Sequence, residues 1–147
     1  MSFYRDERLG AQRDLARQRG HLPRERARLL DRLIERLDEW IDERHVQPSL
    51  LHGDLWGGNW MVALDGQPVL IDPAVYFGDR EADLAMTSLF GGFPPDFYSA
   101  YNEVFPFAPG YRERQPLYQL YYLLVHLNLF GESYGPRVDG ILRQYVG

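Results

Sequence analysis

The sequence predicts an α+β fold in which helix dominates and the sheet is small. Three observations lead there. Apolar residues at Leu29, Leu30, Leu33, Ile34, Leu37, Trp40 and Ile41 recur three and four apart, the period of one buried helical face. Two short apolar runs flank Asp65-Gly66, the pattern of a β-hairpin. Beyond residue 80, helix-compatible stretches alternate with breaks rich in Gly and Pro. With 147 residues, the chain suits a single domain over 1–147, able to bury about 70% of its unfolded surface.

Residues 5–19 mix Arg, Asp, Ala and Leu without a breaker and predict a first helix, which Gly20 interrupts. Pro23 suits the first position of a second helix, which carries the apolar stripe to Ile41 and ends before Pro48. Its other face is charged, with Arg32–Glu35 and Arg36–Glu39 three apart, and reads as a solvated surface. Ser49–Leu51 predicts a short strand leading into His52-Gly-Asp-Leu-Trp-Gly-Gly-Asn59, whose three glycines indicate a tightly folded loop. The hairpin follows, with strands at 60–64 and 68–71 and Pro68 at a strand start or edge. It brings its two ends together, so Asn59 and Asp72 should be neighbours. Residues 72–83 read as polar and irregular, and helices follow at roughly 81–90, 95–104, 113–130 and 136–145.

Composition removes several function classes. Hydrophobic residues at 45% with 25% charged describe a globular protein. No apolar run nears the roughly 20 residues that span a bilayer, and no signal-peptide core follows Met1, so the expectation is a cytoplasmic protein without membrane attachment. The absence of Cys excludes disulfides, thiolate zinc sites and a cysteine nucleophile. All 16 basic residues are Arg, so chemistry needing an ammonium side chain cannot be completed here. Residues 1–47 carry a net charge of +1 and residues 48–147 a net of −6. That balance argues against nucleic acid as a partner and suggests a site for a cation or a cationic substrate.

Asp54, Asn59 and Asp72 are the candidate chemistry. A carboxylate beside an amide oxygen is a hard-oxygen site of the kind Mg²⁺ selects. Asp54, on the glycine-bent loop, is placed to accept a proton from a hydroxyl. Together these are the parts of phosphoryl transfer. Protein kinases space a catalytic Asp and a metal-binding Asn as D-x-x-x-x-N after a His, with a second metal-binding Asp further on. His52-Gly-Asp54 followed by Asn59, with Asp72 after a hairpin, keeps that interval.

Blander readings stand beside this one. Asp and Asn are turn formers, although three in this register favour function. His52 is expected to hold the loop by hydrogen bonding; a metallohydrolase would need partner histidines, and His21, His45 and His126 show no ligand spacing. Trp56 either lies against a substrate or closes the loop. Asp79, Glu81 and Asp83 include substrate contacts or helix N-terminal residues. Tyr118, Tyr121, Tyr122 and Phe130 read as bundle core. His126 and Asn128 line a sugar pocket or bond internally.

Leu51-His-Gly-Asp-Leu-Trp-Gly-Gly-Asn59, Ile71-Asp-Pro-Ala74, Tyr76-Phe-Gly-Asp-Arg-Glu-Ala-Asp-Leu-Ala85 and Leu89-Phe-Gly-Gly-Phe93 together resemble the fructosamine kinase family. Tyr118-Gln-Leu-Tyr121 and His126-Leu-Asn-Leu-Phe-Gly131 are similar to that family's late helices, and the likeness runs from about Phe3 onward. The resemblance implies an aminoglycoside-phosphotransferase-like, protein-kinase-like fold. It also implies ATP-dependent phosphorylation of a sugar hydroxyl on a ketosamine, with Mg²⁺. Asp54 would be the catalytic residue, Asn59 and Asp72 the metal and nucleotide ligands, and Asp83 the brace of the catalytic loop. No Gly-rich loop, strand-rich leader or Lys is present, so the resemblance leads to the expectation of a C-terminal lobe without the nucleotide lobe. It is expected to bind Mg-nucleotide weakly, to turn over little, and to self-associate through the face that lobe would cover. The runner-up readings are a small-molecule kinase of the aminoglycoside or choline type and a non-catalytic remnant acting as a binding module.

Overall fold

A computed structural model of the chain describes residues 3–42, 44 and 46–147. It divides into two compact units, one of Met1–His45 with Gln119–Gly147, the other Val46–Tyr118. Six helices, α1 Ala11–Gln18, α2 Arg24–Glu35, α3 Arg80–Leu89, α4 Pro95–Val104, α5 Tyr111–Phe130 and α6 Gly135–Val146, account for most of the described chain. Four three-residue strands, β1 Ser49–Leu51, β2 Trp60–Val62, β3 Pro68–Leu70 and β4 Tyr76–Gly78, lie between them. The mostly helical α+β character is as expected.

In the first unit, a π-helical turn at Tyr4–Gly10 runs into α1. Gly20 takes φ +75°, and the amides of Gly20 and His21 turn back to the carbonyls of Arg17 and Ala16, closing the helix as a left-handed glycine does. Pro23 sits just before α2 rather than inside its first turn. α2 ends at Glu35, earlier than the apolar period predicts. Arg36 leaves helical backbone angles and the chain tightens into a 3₁₀ turn at Leu37–Glu39. Leu37 and Ile41 nevertheless stay buried, so the stripe outlasts the α-helix that began it. α2 packs on α6, with Leu29, Leu30 and Leu33 of one and Val138 and Leu142 of the other in the core.

One buried cation organises this unit. Arg26, 3% exposed, makes paired bonds to Asp139 at 2.7 and 3.0 Å and to Glu132 at 2.9 and 2.7 Å, and donates to the His21 carbonyl at 2.8 Å. All five guanidinium hydrogens are thereby used. The Arg26 bonds hold the Glu132 carboxyl below its ordinary range. Arg36 and Glu39 make the expected i,i+3 pair, but in solvent.

In the second unit, β2 and β3 form the predicted hairpin, in register Trp60↔Leu70, Met61↔Val69 and Val62↔Pro68. Residues 76–78, read from sequence as irregular, are instead strand β4, antiparallel to β1 in register Ser49↔Gly78, Leu50↔Phe77 and Leu51↔Tyr76. Three residues are too few for a two-residue period to show in the sequence. There are thus two two-stranded sheets among the described residues. The unit's core is Leu51, Leu55, most of α3, Leu117 and Tyr118. No helix of the described residues is long and apolar enough to cross a membrane.

Arg26→Ala should destabilise the protein by about 2–3 kcal/mol in urea unfolding, since it strands two carboxylates and a carbonyl, whereas Arg36→Ala should leave the midpoint nearly unchanged. The Glu132 contribution is present above the ordinary carboxylate pKa and is lost as pH falls through the lowered folded value. Glu132→Gln should therefore show a smaller loss of stability than the parent between about pH 5 and 3.

Candidate active site

β1 delivers the chain to a loop, residues 52–56, that is held from three directions. From α3, the Asp83 carboxylate accepts the backbone amides of His52 at 2.7 Å and Gly53 at 2.9 Å. From beyond the hairpin, the Ala74 amide donates to the His52 carbonyl at 2.8 Å. From within, the His52 ring lies between Ile71 and Asp54. Its Nε2 donates to the Ile71 carbonyl at 2.8 Å and its Nδ1 accepts the Asp54 amide at 3.2 Å, the tautomer this network requires. With both ring nitrogens so engaged, His52 acts as a strut. Gly53 takes φ +85°, and a Cβ there would overlap the Ala74 carbonyl, so no other residue lets the loop lie this close to Asp72-Pro73-Ala74.

The loop then meets Asn59, which is buried. Its side-chain amide donates to the Asp54 carbonyl at 2.8 Å and to the Asp54 carboxylate at 3.1 Å. With both amide hydrogens directed at Asp54, Oδ1 is the atom left to face another ligand. The Asn59 carbonyl accepts the Ile71 amide at 3.0 Å, which extends the hairpin ladder by one step. Asp72 is therefore fixed by its neighbours: Ile71 is tied to Asn59 and Ala74 to His52. It takes φ +49°, the left-handed region that a non-glycine residue enters at a cost and that Asp tolerates better than most. Its side chain is exposed.

Asp54, Asn59 and Asp72 are thus brought to one end of the hairpin, two by direct contact and the third by backbone bonds on either side. Among the described residues no three His, Asp or Glu side chains gather as a metal site by themselves. The available set is two carboxylates and an amide oxygen. Such a set fits Mg²⁺, which keeps several waters and shares its shell with phosphate oxygens.

The three carboxylates at the start of α3 have separate structural tasks. Asp79 caps the helix, accepting the Glu81 amide at 2.9 Å, and accepts the Tyr118 hydroxyl at 2.5 Å. Glu81 is buried against Arg114 in a two-bond pair at 2.8 and 2.6 Å. Asp83 holds the loop. Burial pushes the Asp83 carboxyl above its ordinary pKa, and the two amides it accepts partly offset that.

The fructosamine kinase family model matches residues 1–147. The chain belongs to the fructosamine kinase family. It is 54% identical over 144 residues to the "Probable ketoamine kinase" of Lactiplantibacillus plantarum, covering 98% of this chain and 51% of that protein. It is 42% identical over 150 residues to the chloroplastic "Protein-ribulosamine 3-kinase" of Oryza sativa subsp. indica, covering 99% of this chain and 42% of that one. Its fold superposes on the crystal structure of a candidate fructosamine-3-kinase from Thermobifida fusca YX-ER1 with a TM-score of 0.86 at 41% identity. That match covers 96% of this chain and 49% of the other. This member of the fructosamine kinase family thus spans about half the length of the relatives it matches.

Other residues singled out in the sequence fall elsewhere. The Trp56 ring occupies the space above Gly58 and keeps 41% of its surface exposed. His126 and Asn128 lie in the other unit, His126 bonded to the Tyr122 carbonyl and Asn128 to the backbone and side chain of Gln12. His45 lies outside the described residues. Tyr118 and Tyr122 are core as expected, but Phe130 is 65% exposed at the end of α5, past the last buried turn of the helix. Arg114 and Tyr118, which stake α3, carried no readable signal because their partners lie more than thirty residues away.

Asp83→Ala should cost about 2–3 kcal/mol of stability, because it leaves two part-buried amides without an acceptor. Hydrogen exchange at His52 and Gly53 should quicken well before exchange in the α5 core; unchanged protection at those two amides would contradict the assigned brace.

Proposed function

We propose that this chain is the catalytic-loop lobe of an ATP-dependent ketosamine kinase, one that phosphorylates a sugar hydroxyl on a sugar–amine conjugate. It would be one C-terminal lobe over 1–147 of a protein-kinase-like fold, working in the cytoplasm where ATP is supplied. The single observation that carries the reading is the Asn59 bridge. The Asn59 side chain holds Asp54 by two bonds while its backbone carbonyl secures the residue before Asp72.

In this reading Asp54 orients the acceptor hydroxyl and takes its proton, and Asn59 Oδ1 and the Asp72 carboxylate hold the metal. Mg²⁺, when bound, neutralises the phosphate oxygens of ATP. His52 and Asp83 keep the loop in the shape that allows this, and Trp56 is the side chain beside the loop with surface left for a substrate. The names of the relatives favour a sugar amine over an aminoglycoside or choline-like acceptor. The intact Asp54, Asn59 and Asp72 set favours catalysis over a remnant kept as a binding module.

The lobe by itself should bind Mg-ATP weakly and turn over little. Asp72→Ala should weaken Mg²⁺-dependent ATP binding at least about tenfold, while Asp54→Asn keeps the binding and abolishes phosphate transfer. Equal binding by the Asp72→Ala variant, read by titration calorimetry, would remove the metal assignment. Rapid ketosamine-dependent ADP release by the purified chain would contradict the account of the lobe.

The two sheets also carry exposed apolar side chains. Leu50 and its strand partner Phe77 are 64% and 70% exposed, and Met61, Val62 and Leu70 of the hairpin are exposed as well. Exposed apolar side chains of this kind seek a partner, and we assign them to self-association of the chain. Sedimentation should show concentration-dependent dimers or larger species that Phe77→Glu reduces; a monomer at every concentration would refute it.

A further inference from the structure

Asp83 reaches only the first half of the catalytic loop, the amides of residues 52 and 53. Asn59 stands at the other end, where it completes a 3₁₀ turn at Gly57–Asn59. Gly57 before it and Trp60 after it both touch one residue of another segment, Gly92, in the chain that follows α3.

The contact at Gly57 is backbone on backbone. A Cβ at Gly57 would lie 2.9 Å from the Gly91 carbonyl oxygen and 3.0 Å from the Gly92 Cα. In return, a Cβ at Gly92 would lie 2.8 Å from the Gly57 Cα, and Gly92 takes φ +97°. Both positions therefore require glycine, the first for space, the second for space and conformation.

The contact at Trp60 is side chain on backbone. Its indole Nε1 donates to the Gly92 carbonyl at 3.1 Å. The ring lies beside Phe93, 6.0 Å between centroids, and Phe93 packs on Phe97 of α4 at 4.8 Å. Trp60 is only half-buried, so water could serve its N–H. The bond to Gly92 is thus not demanded by burial; what it supplies is a direction.

Asn59 needs that direction because three bonds require it in one place. Its amide closes the turn on the Trp56 carbonyl at 2.9 Å, its carbonyl accepts the Ile71 amide at 3.0 Å, and its side chain spans to Asp54. A turn built on two glycines has little preference of its own. Were it to shift, the side-chain bonds to Asp54 would lengthen and Oδ1 would turn away from the cation.

We propose that Trp60 and Gly92 form a clamp that positions Asn59, and that Trp60 is a positioning residue for metal binding rather than a packing residue of the hairpin. The metal part of this inference rests on the reading of Asn59 as a metal ligand. α3 then governs the loop from both of its own ends. Asp83 in its first turn holds residues 52 and 53, and residues 91–93 after its last turn hold 57 and 60. Asp54 and Asn59 lie one in each half, so the two holds together keep them in register.

Exchange of the Asn59 backbone and side-chain amides with water, read by NMR on the ¹⁵N-labelled 147-residue chain, tests the clamp without any ligand. Trp60→Phe keeps a ring beside Phe93 and removes the N–H. It should quicken exchange at both Asn59 groups about threefold or more, while His52 and Gly53 keep the parent rates. Gly92→Ala should act in the same direction and more strongly; Trp60→Phe decides alone if that variant does not fold. In calorimetry, Trp60→Phe should weaken Mg²⁺-dependent ADP binding about threefold to tenfold. Parent exchange rates at Asn59 in the folded variants would overturn the clamp. Quickening at His52 and Gly53 together with Asn59 would mean general loosening and would overturn the positioning role. Faster exchange at Asn59 with parent affinity for Mg-ADP would overturn the link to the metal. A parent chain that binds ADP equally with and without Mg²⁺ would overturn the metal reading itself, and the exchange rates would still decide the clamp.

Discussion

The candidate site depends on one carboxylate accepting two backbone amides. Without Asp83, residues 52 and 53 would present bare N–H groups to a partly buried space, and a loop with three glycines in eight residues would have little else to choose one shape over many. The brace works because α3 is anchored at its N-terminal turn. Its N-terminus is capped by Asp79, which is itself bonded to Tyr118, and its first turn is clamped by the buried pair of Glu81 and Arg114. A rigid helix thus passes its position to a flexible loop through a single side chain, as a preformed site requires.

A second constraint acts from the opposite end of the loop. Asp72 stands in a left-handed conformation between two residues whose amides are bonded to Asn59 and His52. Backbone strain of this order, about 1–3 kcal/mol, persists where neighbouring bonds over-determine the geometry. Here they do, and the residue so held is an exposed carboxylate one residue beyond the Ile71 amide that Asn59 accepts. The two units contrast in this respect. The first is closed around Arg26, all of whose guanidinium donors are used, whereas the second keeps apolar strand surface exposed.

Much of this was legible in the sequence, and for physical reasons. The hairpin around Asp65-Gly66 forces its feet together, so the closeness of Asn59 and Asp72 follows from two short apolar runs. Helices α3 to α6 show themselves because their separating segments are rich in Gly and Pro. Asp83 as the brace came from family resemblance, not from spacing, since nothing local says which of Asp79, Glu81 and Asp83 turns toward the loop. What stayed hidden depends on pairings between distant segments. β4 is too short to have a period, and Arg26 reads as one of many arginines until Glu132 and Asp139 fold over it. The early end of α2 was masked by the apolar stripe, which continues through a different helical geometry.

The central claim is that Asn59 and Asp72 offer oxygens to one divalent cation while Asp54 stands beside them. Paramagnetic relaxation with Mn²⁺ in place of Mg²⁺, in the presence of ADP, tests it most directly. The account predicts broadening centred on the Asn59 side-chain amide and the backbone of residues 71–73, removed by excess Mg²⁺. Broadening centred on any other acidic cluster, with the Asn59 amide left sharp, would contradict it.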